Sequence, residues 1–171
     1  MAKVIMVSRQ FPNYHPKAGE PTWFVEKIWK SLLLAKVINI PETIVYEAKY
    51  EEYFPCQFND PNESVSYHKP KNHTIRNGKR WKDGDMASIR VWSGKPYGSK
   101  QIAIAPDVKL KVLDVEIDAQ GMIKIAGKVI NAIKVAENDG LSATDMCDWF
   151  EPSLPFIGQI LIWSPEKVDY Q

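Results

Sequence analysis

Apolar positions recur at two different periods along this chain, and the switch between them outlines the elements. Lys3 to Ser8 is rich in Val and Ile and reads as a strand, whereas Arg9 to Pro21 holds three prolines, a glycine and no usable period, as a loop does. Phe24, Ile28 and Leu32 then repeat every four residues with Val25, Trp29 and Leu33 beside them. That stripe predicts a core-facing helix, opened by Pro21 at its first position and ended before Pro41. Trp23 and Trp29 on this helix read as packing residues. Glu42 to Asn62 mixes Tyr46, Tyr50, Tyr53, Phe54 and Phe58 with acids and has no clear period; a strand followed by a loop is expected there.

Period two dominates the second half. Met86 to Trp92, Lys100 to Ala105, Val108 to Ile117, Met122 to Ile125 and Phe156 to Trp163 all read as strands. Asn131 is placed to open a short helix through Asn138, which Asp139-Gly140 stops. Ser142 is the expected N-cap of a further helix, Ala143 to Phe150, with Asp145 in its first turn where the helix dipole favours negative charge. Short strands with a few short helices between them predict an α+β class with a small mixed β-barrel, flanked by short helices and by the added N-terminal helix.

Composition narrows the setting. The 171 residues, 44% hydrophobic and 25% charged, suit one globular domain, expected to span residues 1–171. Cys56 and Cys147 lie far apart in no paired motif, which argues for a reducing compartment. The N-terminus lacks the length and cleavage site of a signal peptide, and no run of about 18 apolar residues occurs, so a cytoplasmic protein with no membrane span is expected.

Charge is unevenly distributed. From Tyr67 to Lys100 there are nine Lys/Arg and two Asp, a balance of +7 in a chain of net charge +1. Within it, His68 to Asp85 sets Lys69, Lys71, Arg76, Lys79, Arg80 and Lys82 around His68, His73 and Trp81. Cations beside rings suit a polyanion, because Lys and Arg replace phosphate counterions and rings stack on bases. On composition alone, the same run is more often a plain solvated face. His15, His68, His73, Cys56 and Cys147 show no close metal-ligand spacing, and no Gly-rich phosphate loop or dinucleotide fingerprint occurs, so no metal and no cofactor is expected.

Three motifs in order carry a family likeness: Lys71-x-x-Thr74-Ile75-Arg76, then Trp81-x-x-Gly84-Asp85 entering a strand, then Asp139-Gly140-Leu141-Ser142 before a helix that ends Trp149-Phe150. Together they resemble the ASCH domain of the PUA-like superfamily, over roughly residues 67–163, with residues 1–66 as an N-terminal elaboration packed on the barrel. The resemblance implies a β-barrel with a cleft beside Lys71 to Arg76 that takes RNA or a modified nucleotide. Lys69, Lys71, His73, Arg76, Lys79, Arg80, Trp81 and Lys82 would form the nucleic-acid surface.

A bacterial branch of that family is similar to amidohydrolases acting on N4-acetylcytidine, with a Lys, a Thr and an acid as catalytic set. Its Lys and Thr fall on Lys71 and Thr74. The acid falls on Asp139, with Glu137 as competitor, where the branch has a Glu. An amide carbonyl needs a nucleophile, a base and positive charge for the oxyanion, and these groups supply the types. Residues three apart on an extended segment point to opposite faces, so Lys71 and Thr74 converge only if the chain bends between them. Each residue also has a structural reading: Thr74 as a strand residue, Arg76 paired with Asp83 or Asp85, Asp139-Gly140 as a helix stop, Trp81 and Trp92 as barrel packing. An enzyme, including a ribonuclease, therefore stays open beside a binding domain. So does a protein-interaction domain using the N-terminal loop and Tyr46 to Phe58, with no partner named.

Overall fold

The computed structural model describes residues 1–55 and 68–170. Along the chain run β1 (Lys3–Met6), α1 (Phe24–Leu34), α2 (Ile40–Glu51), β2 (His73–Asn77), β3 (Met86–Trp92), β4 (Gln101–Ala103), β5 (Val108–Lys109), β6 (Lys111–Ile117), β7 (Ile123–Ile125), β8 (Lys128–Ile130), α3 (Ala132–Asn138), α4 (Ala143–Phe150) and β9 (Phe156–Ile162). The class is α+β, as the mixed periods predict.

The strands form two sheets. In the first, β3 is central: β1 runs parallel to it, while β4 and β5 pair antiparallel with its two ends. The second is ordered β2-β9-β6-β7-β8 and its pairings are all antiparallel. Among the described residues the strands pair into two sheets flanked by helices and no ring of paired strands closes, so the expected barrel is not shown among them. The reason lies at Leu110, which splits the expected Val108 to Ile117 strand. Its N–H donates to Asp85 and its carbonyl accepts from Gly84, each across about a hydrogen-bond length of 2.9 and 2.8 Å. The chain thereby leaves β3 and continues as β6 in the other sheet.

Two apolar clusters follow from the alternation. One joins Ile28, Trp29 and Leu32 of α1 to Ile89, Val91 and Trp81. The other joins Ile75, Val115, Ile125 and Ile160 to α3 and α4. β9 serves both, since Leu161 and Trp163 face the first while Phe156, Ile160 and Ile162 face the second.

Two expectations near the N-terminus are corrected. Pro21 does not open α1; it forms an isolated bridge with Gln10, and the helix begins after Trp23, which sits in the left-handed region at φ 58°. Thr22 makes the turn, donating to the Ser8 carbonyl and accepting from Phe24 N–H. Residues 42–51 are helical rather than a strand. Asn39 accepts from Glu42 N–H while the Glu42 carboxylate accepts from Asn39 N–H, a reciprocal cap strengthened by Pro41 in the first turn. Cys56 and the end of the Tyr46 to Phe58 stretch lie outside the described residues; Cys147 is free and exposed. No described helix is long and apolar enough to cross a membrane.

Candidate functional site

Lys71 lies just before β2, at the meeting point of four elements, and its dipeptide with Asn72 is pinned by backbone bonds on every side. Lys71 N–H donates to the Lys27 carbonyl of α1 (2.9 Å), and Asn72 N–H to the Asn138 carbonyl at the end of α3 (2.7 Å). Trp163 N–H donates to the Asn72 carbonyl and Trp163 Nε1 to the Lys71 carbonyl. Ser31 Oγ completes the frame by donating to Asn72 Oδ1.

So held, the Lys71 side chain turns inward and is 1% exposed. Its ammonium donates to Asp139 Oδ1 at 2.8 Å and to the Asp139 carbonyl at 2.6 Å, and lies 4.1 Å from the centre of the Phe24 ring. Two oxygens and a ring face thus surround three N–H bonds. Asp139 is offered by the α3 C-terminus, where Gly140 takes φ 76° to turn the chain. A Cβ at Gly140 would press on Lys71 Cβ (3.1 Å) and Lys27 Cδ (3.2 Å), so this glycine is also needed for close approach.

His73 adds a third group. Its Nδ1 lies 3.3 Å from Asp139 Oδ1, near enough for charge though not aligned as a hydrogen bond, and its Nε2 contacts Tyr170 Oη at 2.8 Å. From α1, Lys27 reaches over the same turn and donates to the Gly140 carbonyl at 2.6 Å.

Burial sets the protonation tendencies. It pulls the Lys71 ammonium below its ordinary pKa; Asp139 opposes and Arg76 adds to the fall. Burial by itself would raise the Asp139 carboxyl, but Lys71 and His73 outweigh it and hold it below the usual range. Lys27 is brought down to about 8 by burial and then by the Lys71 charge. His73 is lowered by burial against the pull of Asp139, and Tyr170 is raised by burial with Asp139 adding to it. His68, whose ring stacks on Trp23 at 5.0 Å, falls to about 4 by burial and the charges of Lys27 and Lys30. A buried lysine and carboxylate with shifted affinities thus sit beside a second lysine whose affinity is also shifted.

The expected residues divide. Lys71 and Asp139 are brought together. Thr74 is not joined to them: β2 pairs Thr74 with Leu161 and His73 with Ile162, so Thr74 leaves the strand on the face opposite His73. No described hydrogen bond links Thr74 to Lys71 or Asp139. Arg76 shares the Thr74 face; its guanidinium donates to the Met6 carbonyl of β1, not to Asp83 or Asp85. Burial lowers Arg76 as well, with Asp139 opposing across the strand. Glu137 stays outside, 3.6 Å from the exposed Lys69.

Within the cationic run, three expected nucleic-acid residues prove internal. Lys71 and His73 belong to the Asp139 cluster, and Trp81 is 7% exposed, packed in the first core with its backbone held by Gln159. Lys69, Lys79, Arg80 and Lys82 remain exposed, Lys79 paired with Asp114 at 2.9 Å.

The fold adds cations that the linear run does not contain. Lys3 donates to the Arg80 carbonyl and pairs with Asp85, and Lys109, opposite Met86, reaches the Gly84 turn. Lys3, Lys79, Arg80, Lys82 and Lys109 therefore surround one turn. Its carboxylates are engaged: Asp83 accepts from Val112 N–H, and Asp85 takes Lys3 and Lys82 N–H. Only the β1–β3–β5 pairing brings Lys3 and Lys109 there, so no local signal could have named them.

Compared with known proteins, the chain matches no family model, no curated protein and no solved structure.

Proposed function

We propose that this chain is a PUA-like domain of the ASCH type that binds nucleic acid through the basic turn around Gly84. The observation that carries the reading is the gathering of Lys3 and Lys109 beside Lys79, Arg80 and Lys82, with the neighbouring carboxylates occupied by backbone N–H groups or lysines. Concentrated exposed cations bind phosphates by releasing counterions. β2 leads into this turn, but its Thr74 is buried and its Arg76 is held by the Met6 carbonyl, so the nucleic acid is met by the cations of the turn itself. The reading makes a quantitative demand. Binding of a labelled RNA must fall with salt, with a log–log slope of about −0.7 per phosphate contact, and replacing both Arg80 and Lys82 with Gln must flatten that slope by about one to two. Salt-independent binding, or an unchanged slope in the double variant, refutes it.

A second reading is favoured by the buried Lys71–Asp139 pair, which occupies two positions of the amidohydrolase set. In it, Lys71 in its uncharged form takes the proton of a hydroxyl or water as that oxygen attacks the acyl carbonyl of an N4-acylated cytidine, and passes the proton to the departing N4 amine; Asp139 holds Lys71, and water carries the acyl group away as a carboxylic acid. The contact this chemistry lacks is one from Thr74 to Lys71, because Thr74 leaves β2 on the face opposite His73, so the segment before β2 would have to shift for the two to meet. Turnover of N4-acetylcytidine, lost in Lys71→Met and in Thr74→Val, supports it; no turnover by the intact protein eliminates it.

A further inference from the structure

The hairpin joining β3 to β4 carries an aromatic pair, Trp92 and Tyr97, next to its exposed tip. Ser93 N–H donates to the Lys100 carbonyl and Gly94 N–H to Ser99 Oγ, and the tip is a turn closed by Gly98 N–H on the Lys95 carbonyl. Pro96 holds the second position of that turn and Tyr97 the third, at φ 61°. A type II turn wants Gly or Asn there, because the left-handed conformation crowds a Cβ. Tyrosine accepts that strain, yet the residue is 93% exposed. Its neighbour is Trp92, with ring centres 5.4 Å apart and planes inclined at 51°.

The surroundings say what such rings meet. From Met86 to Pro106 the chain has Arg90, Lys95 and Lys100 and no Asp or Glu. Arg90 and Trp92 leave β3 on the face opposite the fully buried Ile89 and Val91. Arg90 is paired with Met6, whose carbonyl anchors Arg76. Arg90 and Trp92 thus share one face of β3 that leads to the hairpin tip. Strand-tracking cations interleaved with open ring faces are how proteins hold unpaired nucleotides without regard to sequence. Uncompensated cations along the hairpin suit a partner with repeated negative charge, and the ring faces beside them suit stacked bases.

We propose that the Trp92–Tyr97 hairpin is a stacking platform for single-stranded nucleic acid, its bases on the two rings and its phosphates at Arg90, Lys95 and Lys100. The proposal rests on the nucleic-acid reading above and extends it, since it fixes the ligand as an unpaired strand and adds a second contact region.

The test uses the full chain and a fluorescent ten-residue oligouridylate, with a duplex of equal length as control. Tyr97→Gly removes the ring and relieves the turn, so its melting temperature should equal or exceed that of the parent while affinity for the oligouridylate falls about 10-fold. Tyr97→Phe keeps the stacking face and should bind as the parent does. The duplex should bind the parent and both Tyr97 variants alike. If Tyr97→Gly binds oligouridylate unchanged while Arg80→Gln/Lys82→Gln weakens it, the platform is refuted and the basic turn stands. Loss in Tyr97→Gly with none in the Arg80/Lys82 variant has the opposite meaning. A lowered melting temperature in Tyr97→Gly shows that the ring serves the fold and overturns the proposal, as does failure of the parent to bind.

Discussion

Removing the charge of Lys71 isolates the physics of the central cluster. In Lys71→Met a side chain of similar length keeps the packing against Phe24, so little cavity is created. What disappears is the ammonium that gives Asp139 Oδ1 its 2.8 Å bond, leaving a carboxylate 5% exposed with a neutral-leaning His73 as its nearest remaining partner. Breaking a buried pair from one side costs about 3–5 kcal/mol, because the orphaned charge is not rehydrated. Asp139→Asn is gentler, about 2–3 kcal/mol: the amide oxygen and the backbone carbonyl still accept, and a lysine already lowered by burial sheds its proton. In the double variant no net charge is buried, so its loss should fall at least about 2 kcal/mol short of the sum. Urea unfolding of the four proteins at neutral pH measures this cycle. With each kcal/mol worth roughly 2–4 °C at this chain length, Lys71→Met should also melt about 6–20 °C lower. Losses that add within about 0.5 kcal/mol would refute the claim that the two groups hold each other as ions.

Lys27 gives a pH signature. Its folded pKa of about 8 lies below its unfolded value, so between the two the unfolded chain binds the extra proton and stability must rise as pH increases through that window. The urea midpoint of the parent should climb from pH 8 toward 10, and the climb should be smaller in Lys27→Met. Glycine variants rank the close approaches. Gly140→Ala should cost about 1–3 kcal/mol from its left-handed backbone and the contact with Lys71. Gly158→Ala should cost more, since its methyl would overlap the Arg76 carbonyl and force β2 from β9; a thermal melt showing Gly158→Ala the milder of the two contradicts that geometry.

How much of this could be read from the chain depended on whether the cause was local. Asn131 and Ser142 cap α3 and α4 through their own neighbours, Ile133 and Asp145, so those helices were visible in sequence. The Asn39 to Glu42 reciprocal cap was equally local, but the aromatic residues after it obscured the helical burial of Thr43, Glu47 and Tyr50. The break at Leu110 has no local mark at all, because it is imposed by Gly84 and Asp85 from another strand. At the site, the family likeness singled out Lys71 and Asp139. Phe24, Lys27 and Tyr170, which complete their surroundings, come from 47 and 44 residues before Lys71 and from the far end of the chain, where no periodicity can announce them. Lys71, His73 and Trp81 of the cationic run turn out to be internal, which charge and aromaticity alone do not announce.

The sharing of β9 between both apolar clusters bears on how this molecule comes apart. Pulling Ile160 and Ile162 away from one cluster necessarily rotates Leu161 and Trp163 out of the other, for they alternate on a single backbone. Neither half is left with a complete wall once its neighbour melts. Heat must take both together, and a partly unfolded form that preserves one intact half has no strand to stand on.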